Sequence, residues 1–200
     1  MQRVKVRLRD WNDDLVAAWA KHFAGLDDVE VSAGEIFDLT ADAIVSPANC
    51  FGFMDGGIDA AYCERFGWDL QDRLQAHLSA EHDGELPIGQ AVVIDTGDVA
   101  VRYLVSAPTM RLPGPVPQTL NAYLAFRAAL QAVRRHNAAH PGSIASLLCP
   151  GMATAVGQMP PDRCARQMRA AYENVELGRS WGRDSGGVSG ILRQHILLLR

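Results

Sequence analysis

The stretch at residues 46–59, S-P-A-N-C-F-G-F-M-D-G-G-I-D, decides how the rest of this chain is read. Directly before it, Ala43-Ile44-Val45 is an apolar run of the kind that forms a strand buried on both faces. The run stops at Ser46-Pro47, because proline cannot donate to a central ladder. A loop containing Gly52, Gly56 and Gly57 follows, and Ile58-Asp59-Ala60-Ala61-Tyr62 opens a helical pattern. Strand, glycine-containing loop and helix start together make a general anion site. Its backbone N–H groups are bare, no Cβ obstructs an approaching ligand, and the helix dipole presents its positive end. Asn49 brings an amide into that cradle and Asp59 a carboxylate. The pattern implies a phosphorylated ligand, with Asp59 placed to act on it.

Upstream, Val4, Val6 and Leu8 alternate with Lys5, Arg7 and Arg9, which predicts a half-exposed edge strand. Asp10 or Asn12 caps the next helix, whose inner face is Leu15, Ala18, Trp19 and Phe23, and Gly25 stops it. Val29–Ala33 and Ala43–Ser46 are the second and third strands, with Gly34-Glu35-Ile36 following the second. Downstream, residues 58–82 read as helical with a break at Gly67-Trp68, and Leu70, Leu74 and Leu78 form the apolar face. Residues 91–94 and 101–106 read as hairpin strands around Thr96-Gly97-Asp98. Pro108, Pro113, Pro115 and Pro117 mark a loop that would form a wall of the site. A helix over about 117–136 would bury Tyr123, Phe126, Leu130 and Val133, and residues 144–149 form the last buried strand. This alternation predicts a three-layer α/β/α sandwich with a mixed, mostly parallel central sheet. A ligand then belongs at the C-terminal ends of the strands, where the loops after Ser46 and Cys149 both emerge. Residues 1–177 read as one domain that includes the N-terminal strand and helix. Residues 178–200, rich in Gly and Ser at first, read as a tail without an assigned structure.

With 200 residues the chain can bury one sizeable core. A net charge of −4 disfavours a large duplex-binding surface, because nucleic-acid affinity rests mainly on neutralising phosphates. No apolar run reaches the ~18 residues of a membrane span, and Met1-Gln2-Arg3-Val4-Lys5 is no signal-peptide start, so a cytoplasmic location is expected. Cys50, Cys63, Cys149 and Cys164 are scattered and read as buried thiols. The histidines fall into no metal-ligand spacing, and His22, His77 and His82 read as surface residues. Arg163, Arg166 and Arg169 read as a solvated helix face.

Asn49, followed after six residues by Gly56-Gly57-Ile58-Asp59, resembles the N-x6-G-G-[VIL]-D signature of MacroD-type macrodomains, which bind ADP-ribose and often hydrolyse ADP-ribosyl linkages. Gly34-Glu35-Ile36 is similar to that family's G-D-I, and residues 42–49, D-A-I-V-S-P-A-N, to its D-A-I-V-N-A-A-N. Residues 150–160 stand where the family has a second, phosphate-embracing loop. The resemblance covers roughly residues 28–176. It implies an ADP-ribose pocket used on an ADP-ribosylated protein without cofactor or metal, with Asp59 orienting a water and Asn49 on the distal ribose. Glu35 and Ile36 would hold the adenine, through a carboxylate acceptor and a backbone N–H. Gly56, Gly57 and Ile58 would wrap the ligand from one side, and Ala153, Thr154, Ala155, Val156, Gly157 and Gln158 from the other.

Blander readings stand beside these. Asp59 is also a favourable first-turn helix carboxylate, and Asn49 an Asx-type loop pin. Asp42 reads as a cap of its strand start. Glu35 is one methylene longer than the family's Asp. In the second loop the family's G-[VIA]-[YF]-G becomes Ala155-Val156-Gly157-Gln158, so the aromatic that packs on the distal ribose is missing. Phe51, Phe53 and Met159 are candidates for that space or for the core. A reader module without turnover, and an enzyme acting on O-acetyl-ADP-ribose or ADP-ribose phosphate, share the same pocket. A generic nucleotide-binding domain is disfavoured, since neither G-x-G-x-x-G nor G-x-x-x-x-G-K-[ST] occurs.

Overall fold

The computed structural model describes residues 3–180, 182 and 186–200. Residues 1–2 of the N-terminal start, and residues 181 and 183–185 of the Gly- and Ser-rich stretch, lie outside the described residues. Six strands form one sheet in the order β2-β1-β6-β3-β5-β4: β1 Lys5–Asp10, β2 Val29–Ala33, β3 Ala43–Ser46, β4 Val92–Asp95, β5 Tyr103–Ser106 and β6 Ser146–Cys149. All neighbours are parallel except β4, which returns antiparallel along β5. The sheet is mixed and mostly parallel, as the sequence predicts.

Alternation along the strands sorts side chains into two layers. Val6, Leu8, Ala43, Val45, Tyr103, Val105, Leu147 and Cys149 face one side, covered by α1 (Asp13–His22), α4 (Asn121–Ala139) and α5 (Pro161–Val175). Ile44, Leu104 and Leu148 face the other, covered by α2 (Gly57–Phe66) and α3 (Asp69–Glu81). Asn12 caps α1 by accepting from Leu15 N–H at 3.1 Å, and Leu15, Ala18, Trp19 and Phe23 are buried. Gly67, with φ of 96°, separates α2 from α3.

The edge-strand expectation for β1 is corrected, because β1 lies between β2 and β6. Its alternating charges have a different cause. On the α2–α3 side the two arginines of β1 bond to β2 and to the segment after it, which holds a single 3-10 turn at Ile36–Asp38. Arg7 Nη1 donates to Thr40 O (2.5 Å), and Arg9 donates to Glu35 O (2.7 Å), Ser32 Oγ (3.0 Å) and the Asp38 carboxylate (3.1 Å). The start of α4 is corrected from about 117 to 121. There Thr119 Oγ1 accepts from Asn121 N–H and donates to Val116 O, holding a turn before the helix. Tyr123 is half-buried at the core margin, whereas Phe126, Leu130 and Val133 are buried.

Arg163, Arg166 and Arg169 are not a solvated face. Arg163 donates to Pro117 O and Arg200 O, Arg166 to Leu197 O and Asp162, and Arg169 to His22 O and Glu173. His22 is likewise half-buried against Asp162, at 2.9 Å. The stretch read as a tail contains α6 (Val188–Leu199), which buries Leu198 against α5 and accepts from Gln167 Nε2 at Leu198 O (3.0 Å). All four cysteines are free and buried. Among the described residues no helix is long and apolar enough to cross a membrane.

The N-terminal edges of β3 and β6 are tied by Asp42. Its Oδ2 accepts from Ala145 N–H (2.9 Å), Ser146 N–H (2.8 Å) and Ser146 Oγ–H (2.9 Å). Asp42→Ala orphans two backbone donors and should lower stability by about 2 kcal/mol. The urea midpoint should fall with an unchanged m-value.

Candidate functional site

The segments that carry the expected ligand-binding residues all follow the C-terminal ends of parallel strands. Gly34, Glu35 and Ile36 follow β2, Asp10 ends β1, residues 150–158 follow β6, and residues 46–59 follow β3. β6 and β3 are adjacent, so their two loops rise side by side. The proline-containing segment is stitched to both. Thr109 N–H donates to Ala48 O (2.9 Å), Cys50 N–H to Arg111 O (3.2 Å) and Val116 N–H to Gly157 O (2.8 Å).

Asp59 sits in the first turn of α2, only 7% exposed. Ser46 Oγ, at the end of β3, donates to its Oδ1 at 2.6 Å. Burial pushes the Asp59 carboxyl up to about 6, and the Ser46 hydrogen bond pulls in the opposite direction. At neutral pH the group is largely ionised, without an ion pair among the described residues. Around it, the N–H groups of Gly56, Gly57, Ile58 and Asp59 meet no protein acceptor among the described residues, as expected of the first turn of a helix. Gly57 has φ of 58°, which glycine adopts without steric cost.

Asn49, 8% exposed, pins the loop. Its Nδ2 donates to Phe53 O (2.7 Å), and its Oδ1 accepts from Phe51 N–H (3.0 Å) and Phe53 N–H (3.3 Å). The second amide hydrogen has no partner among the described residues, so one donor remains for a ligand. Phe51 is half-buried under the Arg111 guanidinium, 5.1 Å from its ring, and Met159 is core. Phe53 is 53% exposed on the loop itself, which makes it the one of the three with a free face.

In the second loop Thr154, Ala155, Val156 and Gly157 also carry N–H groups without a protein acceptor among the described residues. The loop closes on itself through Met159 N–H to Ala153 O (2.9 Å) and Gln158 N–H to Ala155 O (3.0 Å). A Cβ at Gly157 would lie 2.4 Å from Ala153 O, so this loop has no room for a side chain there. Ala153 and Gln158 take φ of 64° and 53°, unusual for residues with a Cβ.

Glu35 is exposed at the other end, Ile36 is buried, and the backbone between them is braced by Arg9. Arg9, Asp10 and Ser46 are the site residues that sequence reasoning missed. Asp10 accepts from Gly151 N–H (3.0 Å) and Asn12 N–H (3.0 Å), fixing the base of the second loop. Its signal was a carboxylate ending a strand; Arg9 had none, since a strand arginine reads as solvated. A separate cavity of about 410 Å³ lies between the start of β4 and α4, lined by His82, Gln90, Gln131 and Arg135, and shares no residue with these loops.

Two glycine-containing loops with bare N–H groups, one enclosing a buried carboxylate, match a known pattern. The macro domain profile matches residues 45–168. The chain belongs to the macro domain family. An uncharacterised protein of Aquifex aeolicus is 32% identical over 70% of this chain and 78% of its own length. Among solved structures, the macrodomain of Mycobacterium tuberculosis DarG matches with a TM-score of 0.57 and 21% identity, covering 72% of this chain and 88% of that one. A mutant Oceanobacillus iheyensis macrodomain with ADPR matches with a TM-score of 0.55 and 22% identity, over 69% and 73%. At such identities the structures establish a shared fold. This macrodomain keeps the first-loop pattern and remodels the second.

The buried carboxylate also sets a stability signature. Because the folded pKa of Asp59 is raised, the folded protein holds a proton that the unfolded chain has released between about pH 4 and 6. This contribution is therefore lost as pH rises through that window and is absent above about 6. A change from 3.8 to about 6 corresponds to about 3 kcal/mol of destabilisation at neutral pH. Asp59→Asn should raise Tm at pH 7 and leave it near wild type at pH 4, read by calorimetry at both pH values.

Proposed function

We propose that this macrodomain binds ADP-ribose and hydrolyses ADP-ribosyl linkages to acidic protein side chains. The observation that carries this reading is the buried, largely ionised Asp59 beside the unpartnered N–H groups of the first turn of α2. The strand before α2 lies next to the one whose loop carries a second such set. Those eight N–H groups, four on each loop, suit a diphosphate lying between adjacent strand ends. Glu35 and the Ile36 N–H suit the adenine amino group and ring edge, and the spare Asn49 donor suits a hydroxyl of the distal ribose. In the reaction, a water held by Asp59 attacks the anomeric carbon of that ribose. The bond from this carbon to the side-chain oxygen breaks, the carboxylate leaves with the bond's electron pair, and the water's proton passes through Asp59 to solvent. The negative charge of Asp59 also favours the oxocarbenium-like centre while it forms. The ADPR carried by the Oceanobacillus iheyensis macrodomain supports the ligand class.

The reader alternative is favoured by one observation: Asn49 already spends three hydrogen bonds on its own loop. Turnover separates the two. ADP-ribose should bind with micromolar affinity, about 8 kcal/mol, and unchanged calorimetric heat on its addition would remove the reading. Asp59→Asn should keep that affinity or improve it, while turnover of an ADP-ribosylated glutamate substrate falls roughly 10²–10⁴-fold. A wild type that binds and never turns over is a reader.

Base recognition has its own test. Glu35→Ala should weaken ADP-ribose by about 1–3 kcal/mol and leave ribose phosphates without adenine unaffected. An equal loss for both ligand types would move Glu35 out of the base pocket.

A further inference from the structure

The hydrolase reading assigns a task to Asp59 but leaves open what fixes its carboxylate. The side chain sits in the first turn of α2, and its Oδ1 is held by one contact, the 2.6 Å bond from Ser46 Oγ. Ser46 is fully buried at the last position of β3, so the contact is shielded from water. A serine hydroxyl has a single hydrogen, and here it is spent on the carboxylate. The donor therefore selects the ionised form and one rotamer at once.

The neighbouring strand offers a built-in comparison. Ser106 is in register with Ser46 across the parallel β3–β5 pair and is 1% exposed, so both hydroxyls lie on the α2 side of the sheet. Ser106 Oγ nevertheless has no hydrogen-bond partner among the described residues. Of two equivalent buried serines, only Ser46 reaches Asp59.

We propose that Ser46 is the positioning residue for Asp59: its hydroxyl anchors Oδ1 and thereby presents Oδ2 to the reacting water. The proposal rests on the hydrolase reading for its catalytic consequence, though not for the anchoring itself. The titratable groups beside Asp59 are Tyr62 and Cys63 on its own helix, both pushed up by burial and hence neutral. Tyr62 OH is committed to Val45 O at 3.0 Å. From β3 and β5 the facing polar groups are Ser46 and Ser106, β6 contributes Leu148, and α3 contributes Leu70, Leu74 and Leu78 to the same layer. On the loop, Asp55 is exposed to solvent. With no Lys, Arg or His bonded to the carboxylate among the described residues, the hydroxyl is its one stabilising side-chain contact.

Ser46→Ala, Ser46→Thr and Ser106→Ala test this in the full chain, with Tm recorded for each. Two readouts are needed: the pH profile of kcat on an ADP-ribosylated glutamate peptide, and the titration of the Asp59 carboxyl carbon by NMR. In Ser46→Ala the Asp59 titration and the acid limb of kcat should both move to higher pH, and kcat at pH 7 should fall roughly 10- to 100-fold. ADP-ribose affinity should be unchanged. Ser46→Thr, which keeps the hydroxyl, should restore most of kcat, and Ser106→Ala should match wild type. An active wild type whose titration and kcat profile are indifferent to Ser46→Ala overturns the proposal. So does a loss in Ser106→Ala equal to that in Ser46→Ala. If wild type turns over no ester while Ser46→Ala still shifts the Asp59 titration, the hydrolase reading fails alone and the anchoring stands.

Discussion

A carboxylate withdrawn from water must be compensated locally, and the compensation around Asp59 organises this end of the molecule. Its position at the helix start supplies partial positive charge, and Ser46 supplies a hydrogen bond of 2.6 Å. Neither is an ion pair, so burial still dominates and the group titrates near 6. An arginine in place of Ser46 would hold the carboxylate more firmly and neutralise it. A hydroxyl instead leaves a negative charge poised, at a cost in stability that the two-sided core can bear. That balance is typical of groups kept for chemistry rather than for folding.

The loops around this carboxylate owe their shape to side chains that bond to the loop backbone. Asn49 holds three backbone groups of the first loop, Asp10 anchors Gly151 at the root of the second, and Arg9 grips the carbonyl of Glu35. Each comes from a strand end or from the residues just beyond it, where a rigid sheet fixes the backbone. The N–H groups left over are the ones on the two loop tips. A binding cradle thus arises by subtraction: internal polar groups are satisfied, and those of the tips stay free for an anion.

Much of this was legible in the residues, and what was not shares one physical cause. Apolar alternation locates the edge strand β2, and an unbroken apolar run locates β3, whose residues are all buried. The strand–glycine–helix pattern locates the cradle, because bare N–H groups need it. Arginines defeated the reading. Arg7 and Arg9 gave β1 an edge-like alternation, yet their stems cover the sheet while their guanidinium groups bond to the segment after β2. Arg163, Arg166 and Arg169 looked solvated, yet they tie α5 to α1, the proline-containing segment and α6. A long side chain with a terminal fork satisfies backbone carbonyls that periodicity cannot see. The helical tail was unread because its exposed Ile191, Leu192 and Ile196 give no clean apolar face.

The second loop is a rearrangement of the family pattern and not merely a loss from it. Gly157 stands where the resembled motif has its aromatic, and a Cβ there would collide with the backbone of Ala153. Gln158 stands where the motif has glycine and still adopts φ of 53°. A left-handed residue thus stands here without the glycine that would make it free, at roughly 1–2 kcal/mol of strain. Such strain persists only where the surroundings over-determine the backbone. Here the Met159 N–H bond to Ala153 O and the Val116 N–H bond to Gly157 O supply that constraint from both sides. The loop thus orients its backbone donors without an aromatic side chain between Ala155 and Gln158. In the proposed site this separates two functions that the family pattern combines. Diphosphate binding stays with the backbone, and packing against the ribose passes to the first loop, where Phe53 is the exposed aromatic.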